Sequence, residues 1–188
     1  MVKKQEHEIS LTSFQIQDSF WSYFQNLVKD VVIPYQEQIL NDELPDVEKS
    51  HAIENFRIAA GKSDGEYYGM VFQDSDLAKW LEAVAYSLTL SPNPELEKRA
   101  DEIIELIGEA RQEDGYLNTY FTVKEPEHRW QNLHDCHELY CAGHMIEAAV
   151  AWYEATGKRN FLDIMCRMAD HIDNRFGKGK VRGIPGHE

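Results

Sequence analysis

Apolar residues recur at helical spacing along most of this chain, so the pattern predicts helices rather than strands. The predicted helices cover residues 13–40, 51–60, 76–90, 93–111, 132–157 and 160–176. Pro34 should kink or break the first of them, because proline has no backbone N–H to donate. The third helix should be capped by Asp74 or Ser75. Its inner face should carry Leu77, Trp80, Leu81, Val84 and Leu88. The chain is therefore predicted to be all-α.

The segment over 132–157 carries the most information. Asn132 is a typical N-cap and Gly157 a typical C-cap, which predicts one continuous helix of about six turns. Its apolar side chains nearly encircle it, in one stripe of Leu139, Ile146, Val150 and Tyr153 and another of Met145, Ala149 and Trp152. Since a helix that is apolar all round is usually buried, we expect this helix at the centre of the domain.

His137, Cys141 and His144 recur at i, i+4 and i+7 of that segment, so they should share one face. One interpretation is a zinc site with two imidazoles and one thiolate. The alternative is a set of hydrogen-bonded core residues, and it is favoured because no fourth ligand is evident. Cys141 would need a neighbouring cation to become a reactive thiolate, and it is better explained as a small core residue. We therefore predict no metal site in this segment.

An internal repeat organises the chain. Residues 83–107 resemble residues 149–172, and each segment contains a helix end, a short turn and a second helix with an Ala-Asp pair. Repeated helix pairs that cannot bury their own apolar faces point to stacked hairpins. The long repeat favours an α/α toroid, of which this chain would supply about half, truncated after Glu188. Met165 and Ile172 in the last hairpin would then lack neighbours, which predicts a homo-oligomer or a missing C-terminal half.

Composition narrows the class of protein. The chain has 188 residues, of which 43% are hydrophobic, and this supports a single helical domain over residues 1–188 with an apolar core. A formal net charge of −14 excludes nonspecific binding to nucleic acid or anionic membranes, because phosphate groups would repel the chain. No apolar run is long enough for a membrane span. Three cysteines form no CxxC pair and no even-numbered disulfide framework, so we expect a reducing compartment and a cytoplasmic protein.

The segment FQDSD offers a second candidate site. Asp74 and Asp76 could be a carboxylate pair flanking a sugar that stacks on Trp80, since paired carboxylates perform glycoside hydrolysis. The alternative is that both aspartates begin a helix, where free N–H groups and the helix dipole favour them. The helix start is preferred for Asp76, whereas the two interpretations of Asp74 are equal. Asp74 and Trp80 are therefore candidate sugar contacts.

A series of sequence blocks runs in order from residue 50 to residue 188: HAIENFRIAAG, GMVFQDSDLAKWLEAVAY, QEDGYLNTYF, HELYCAGHMIEAAVAWYEATGKRNFL, MADHI and the terminal GHE. Together they resemble the N-terminal part of the bacterial β-L-arabinofuranosidases of glycoside hydrolase family 127. The resemblance implies an (α/α)6 catalytic barrel followed by β-sandwich domains, in a protein several times longer. It also implies a retaining mechanism with a zinc-held cysteine nucleophile and nearby glutamates, whose motifs lie beyond residue 188.

The same resemblance implies that His137, which opens the HELYCAGH block, and His187, in the terminal GHE, bind sugar. The loop NDELPDVEK before His51 departs from the family pattern, so the exact sugar stays open. We expect part of a glycoside hydrolase for β-L-arabinofuranoside-type sugars, with no zinc or catalytic residue in this chain and no activity in isolation. The alternative is a non-catalytic helical domain that binds carbohydrate or serves oligomerisation.

Overall fold

The computed structural model describes residues 11–13 and 15–181, and helices dominate them. The α-helices are α1 (Ser19–Leu27), α2 (Ile33–Leu40), α3 (Ala52–Ala59), α4 (Asp74–Leu90), α5 (Pro94–Ala110), α6 (Thr119–Val123), α7 (Leu133–Cys136), α8 (Glu138–Thr156) and α9 (Asn160–Arg175). A π-helical segment, Val28–Val32, joins α1 to α2, and short 3-10 turns occupy Leu11–Ser13 and Pro126–His128. These residues contain no strand beyond an isolated bridge between Phe176 and Val181, so the all-α prediction is confirmed.

Within the described residues, three helical hairpins stack side by side in two layers. One layer consists of α2, α4 and α8, and α4 packs along α8 over the largest helix–helix contact of the molecule. The other layer consists of α3, α5 and α9, in which α5 touches both neighbours. The hairpins α4–α5 and α8–α9 are the two copies of the internal repeat. The arrangement is that of part of an α/α toroid, as the repeat predicts.

The apolar core lies between the two layers. All five residues predicted for the inner face of α4 are buried, namely Leu77, Trp80, Leu81, Val84 and Leu88. Burying a side chain of this size stabilises the fold by about 1.5–3 kcal/mol relative to leaving it exposed. The indole N–H of Trp80 also donates to the carbonyl oxygen of Ile33 at 3.1 Å, which ties α4 to α2 in the same layer.

The first predicted helix, 13–40, is wrong in its start, whereas the interruption predicted near Pro34 is present. The α-helix begins at Ser19, where the Asp18 carboxylate caps it by accepting from the backbone N–H of Trp21 at 2.8 Å. Its continuation is interrupted by the π-helical segment Val28–Val32 just before Pro34. Proline cannot donate to the carbonyl four residues earlier, and its ring would clash with that carbonyl. The wider π turn accommodates this, so the chain stays helical on both sides.

The exposed apolar side chains are not the ones that the sequence predicts. Met165 is only 2% exposed and Ile172 packs against the core, because α9 is covered by α8 and α5. The prediction that these two side chains lack neighbours is therefore wrong. A group of large exposed apolar residues lies instead on α1 and the π segment, including Phe20, Trp21, Tyr23, Phe24 and Val31. The homo-oligomer stays a prediction.

Helix α8 is buried on one side rather than all round. The stripe of Met145, Ala149 and Trp152 is buried, as expected. Val150 and Tyr153 of the other stripe are 42% and 41% exposed, because α4 and α9 cover only part of the helix. None of the described helices is both long enough and apolar enough to cross a membrane.

Candidate functional site

His137 lies at a break in the helix that the sequence predicts over 132–157. Asn132 caps only the short helix α7, by accepting from the backbone N–H of Asp135 at 3.1 Å. His137 then adopts a left-handed backbone (φ 53°, ψ 32°), and α8 begins at Glu138. The single continuous helix is therefore wrong at this residue. A left-handed conformation is uncommon outside glycine and asparagine, and it persists where surrounding contacts impose it.

The contacts that impose the break come from Glu138, which is only 1% exposed. One carboxylate oxygen accepts from the phenol of Tyr116 at 2.5 Å, and the other accepts from the backbone N–H of Trp130 at 2.7 Å. Trp130 itself has a left-handed backbone, with φ 63°. The first residue of α8 is thus held by two residues of the preceding connection, and this fixes the position of His137 beside it.

Burial controls the protonation of Glu138, which we call the Glu138 anchor because it holds the start of α8. Removal from water raises the pKa of Glu138 to about 7, although the hydrogen bonds from Tyr116 and Trp130 oppose the shift by favouring the carboxylate. Burial and the nearby Glu138 charge also raise the pKa of Tyr116 above its usual range. Tyr116 therefore stays a hydrogen-bond donor, whereas Glu138 exchanges its proton near neutral pH.

The imidazole of His137 belongs to a row of rings on the surface of α8. Its ring centroid lies 5.4 Å from that of Phe72 and 5.8 Å from that of Tyr140, in both cases edge to face. Tyr140 continues the row to His144, with 4.6 Å between their centroids, and Lys79 of α4 lies over the Tyr140 ring. We call His137, Tyr140 and His144 the histidine row. These half-buried rings offer apolar faces and polar nitrogens together, a combination found in small-molecule sites.

Cys141 does not belong to the histidine row, although its spacing suggests that it should. The residue is 2% exposed, and its sulfur faces the backbone carbonyl oxygen of Phe72 at 3.6 Å. Burial raises the pKa of the Cys141 thiol well above its usual range, so the reactive thiolate is disfavoured. These contacts support the interpretation of Cys141 as a small core residue. In the described part of the chain, Cys141 is in no group of three close metal donors.

The other predicted sugar contacts are engaged within the fold or lie outside the described residues. Asp74 is buried at the start of α4, where its carboxylate accepts from the backbone N–H of Thr119 at 2.7 Å and from the Thr119 hydroxyl. Burial raises the pKa of Asp74 to about 6. Trp80 is 4% exposed and donates to α2 as described above. His187 lies outside the described residues. The sugar-binding role of all three stays a prediction.

Sequence reasoning missed Glu138, Tyr116 and Trp130, the residues that position His137. One signal for Glu138 was present in the sequence. It precedes Ala142 and Met145 by four and seven residues, which places a charged residue in register with the buried stripe of α8. A buried charge requires partners, so this register could have directed attention to the aromatic connection. Nothing local marked Tyr116 and Trp130 as those partners.

Comparisons with known proteins find similar sequences and structures. A family model described as "Beta-L-arabinofuranosidase, GH127 catalytic domain" matches residues 13–188. The non-reducing end β-L-arabinofuranosidase of Bifidobacterium longum subsp. longum is 42% identical over 190 residues, covering 92% of this chain and 29% of that protein.

Two solved structures are also similar. A GH127 β-L-arabinofuranosidase from Geobacillus stearothermophilus T6 is 64% identical, with a TM-score of 0.91 over 93% of this chain and 28% of its own. A second GH127 β-arabinofuranosidase is 35% identical, with a TM-score of 0.84 over 96% of this chain and 29% of its own. This chain therefore spans 28–29% of the length of the relatives it matches.

Proposed function

We propose that this chain, which belongs to the β-L-arabinofuranosidase family GH127, forms part of a catalytic barrel acting on β-L-arabinofuranoside-type sugars. In this proposal the chain binds and orients the sugar through His137 and His187. The names of its relatives support the substrate class, and the length of those relatives supports a role as one part of a larger catalytic unit.

The observation that carries the proposal is the position of His137. Its left-handed backbone, held by the Glu138 anchor, directs a half-buried imidazole beside the rings of Phe72 and Tyr140. An imidazole nitrogen can donate to or accept from a sugar hydroxyl, and neighbouring rings can cover the apolar side of the sugar. A preorganised contact of this kind binds without the entropy cost of ordering a flexible side chain.

Zinc held by cysteine is implied by the family, but the described residues do not fit it. Cys141 is buried against a carbonyl oxygen, Cys136 is half-buried and Cys166 is exposed on α9. Among the described residues, no cysteine belongs to a group of three close His, Cys, Asp or Glu donors. We therefore place neither the zinc nor the cysteine nucleophile of the family mechanism among the described residues. The cytoplasmic location stays a prediction from the cysteine pattern.

The test replaces His137 by Asn and measures binding of methyl β-L-arabinofuranoside to the chain by calorimetry or NMR. Asparagine tolerates the left-handed backbone, so the imidazole is removed with little strain. Loss of one net hydrogen bond, worth about 0.5–1.5 kcal/mol, should weaken binding by about 2- to 12-fold. His134→Asn is the matched control, because His134 is an exposed histidine on α7 that contacts Asp135.

The same variants separate sugar binding from a structural role. If His137 serves the core instead, His137→Asn should lower the thermal midpoint while sugar binding at low temperature stays equal to that of the control. That result, or an absence of sugar binding by the unaltered chain at millimolar sugar, would overturn the proposal.

A further inference from the structure

Three potential metal ligands meet between α4 and α8, and only one of them, His144, belongs to the set considered from the sequence. Glu82 of α4 and His144 and Glu147 of α8 each offer one ligand atom, and these atoms all lie within 4.8 Å of one another. His144 and Glu147 are three residues apart on one helix, with 3.5 Å between Nδ1 and a carboxylate oxygen. Glu82 and His144 are half-buried, so part of the cluster is shielded from water.

The cluster holds more negative charge than its surroundings neutralise. Within the described residues, neither Glu82 nor Glu147 has a lysine or arginine within ion-pair distance. Lys79, one turn before Glu82, contacts Ser75 at 3.1 Å and Asp76 at 4.0 Å instead. Two carboxylates held this close repel each other, and a cation between them would offset that repulsion.

Two details of the local bonding favour a bound cation over a simple ion pair. The Nδ1 atom of His144 is buried and makes no hydrogen bond to the described residues. Tyr86 donates to one oxygen of Glu82 at 3.0 Å, which orients that carboxylate as hydrogen bonds to metal ligands commonly do.

We propose that Glu82, His144 and Glu147 bind one divalent transition-metal ion of the zinc class, with water in the remaining coordination positions. One imidazole and two carboxylates suit such an ion, whereas magnesium and calcium prefer an all-oxygen set. Small side-chain rotations would bring the donors to the bond lengths of about 2.0–2.2 Å that zinc requires. The set contains no sulfur and differs from the His137, Cys141 and His144 set considered from the sequence. It also contains neither of the proposed sugar-binding histidines, His137 and His187.

The experiment titrates the chain with Zn²⁺ by calorimetry and with Co²⁺ by visible absorption, which distinguishes nitrogen and oxygen ligands from thiolate ligands. The variants are Glu82→Gln and His144→Ala. Glu154→Gln is the matched control, because it removes one negative charge from α8 outside the cluster. Circular dichroism without metal verifies the fold of each variant. If His144→Ala does not fold, Glu82→Gln still tests the site, because it is a nearly isosteric change.

We expect one bound ion per chain and an affinity loss of at least about tenfold in each cluster variant, since even residues that only orient ligands cause losses of this size. The control should bind like the unaltered chain, and Zn²⁺ should raise the thermal midpoint of both. Equal affinity in Glu82→Gln and the control, a thiolate-to-cobalt absorption band, or no binding at all would overturn the proposal.

Discussion

At the scale of single residues, left-handed backbone conformations place the main turns. His51 and His137 share the same φ of 53°, and each directly precedes a helix, α3 or α8. His51 is held by Asp42, which accepts from its backbone N–H at 3.0 Å, whereas the anchor at His137 is Glu138. Gly115 also has a positive φ, of 92°. It lies in the connection between α5 and α8, at a point where this connection passes against α9. The two histidines are thus held by specific side-chain contacts, whereas Gly115 is needed because another backbone lies too close for a Cβ.

Replacing Gly115 by Ala tests that closeness. A Cβ at this residue would lie 2.5 Å from the carbonyl oxygen of Arg167, and the positive φ adds strain. Overpacking and backbone strain together should lower the free energy of unfolding by about 2–4 kcal/mol in urea denaturation. The control is Gly157→Ala, where φ is 73° but no atom lies within 4 Å of the added Cβ, and a loss of about 1 kcal/mol is expected. Equal losses in the two variants would contradict the contact with Arg167.

At the scale of elements, the connection between α5 and α8 is attached to its neighbours by polar side chains. Asp74 at the start of α4 holds Thr119 of α6, and Glu138 at the start of α8 holds Tyr116 and Trp130. The indole N–H of Trp130 further donates to Nε2 of His171 on α9, whose Nδ1 faces the carbonyl oxygen of Asp114 at 3.0 Å. This pattern selects the neutral tautomer of His171 with its proton on Nδ1. The connection therefore spans both layers of the fold.

These buried carboxylates make stability depend on pH. The pKa of Glu138 rises from an ordinary value of 4.5 to about 7, so the folded state binds its proton more tightly than the unfolded state does. The stability contributed by this tighter proton binding to Glu138 is present below the ordinary pKa of 4.5 and is lost as the pH rises through about 7. Asp74, with a pKa of about 6, acts in the same direction.

Replacing Glu138 by Gln should remove its share of that dependence. As the pH rises from about 5 to about 8, the free energy of unfolding of the unaltered chain should fall relative to that of the variant by on the order of 2 kcal/mol. Urea denaturation at both pH values measures this difference. Glu113→Gln, which changes an exposed glutamate in the same connection, is the control and should follow the unaltered chain. A pH-independent difference between Glu138→Gln and the unaltered chain would contradict the raised pKa.

At the scale of the whole molecule, the chain folds as a layered set of hairpins whose described residues offer no activated nucleophile. The Cys141 thiol is buried, and its pKa is raised away from the thiolate form. The carboxylates of Asp74 and Glu138 already accept hydrogen bonds from within the fold. We therefore expect the purified chain not to hydrolyse a chromogenic β-L-arabinofuranoside, with or without added zinc. Zinc-dependent release of the chromophore, lost in Cys141→Ala but retained in Cys166→Ala, would contradict this expectation.

The sequence by itself determined the features that depend on neighbouring residues. Helical spacing identified the buried face of α4, Gly157 marked a helix end, and the internal repeat predicted stacked hairpins. These signals are readable because capping and amphipathic spacing act over a few residues. The family resemblance added His137 and His187 as sugar-binding candidates, which no periodicity identified.

Only the tertiary structure decided what depends on distant residues. The helix breaks at His137 because Glu138 bonds to Tyr116, 22 residues away in sequence, and to Trp130. The metal-donor cluster exists because α4 packs along α8 and brings Glu82 to His144. Local propensity cannot encode such contacts, since their free energy appears only when both partners lose water together in the packed core. The apolar face of α1 stays exposed for the same reason, because helical spacing defines a face but not the surface that covers it.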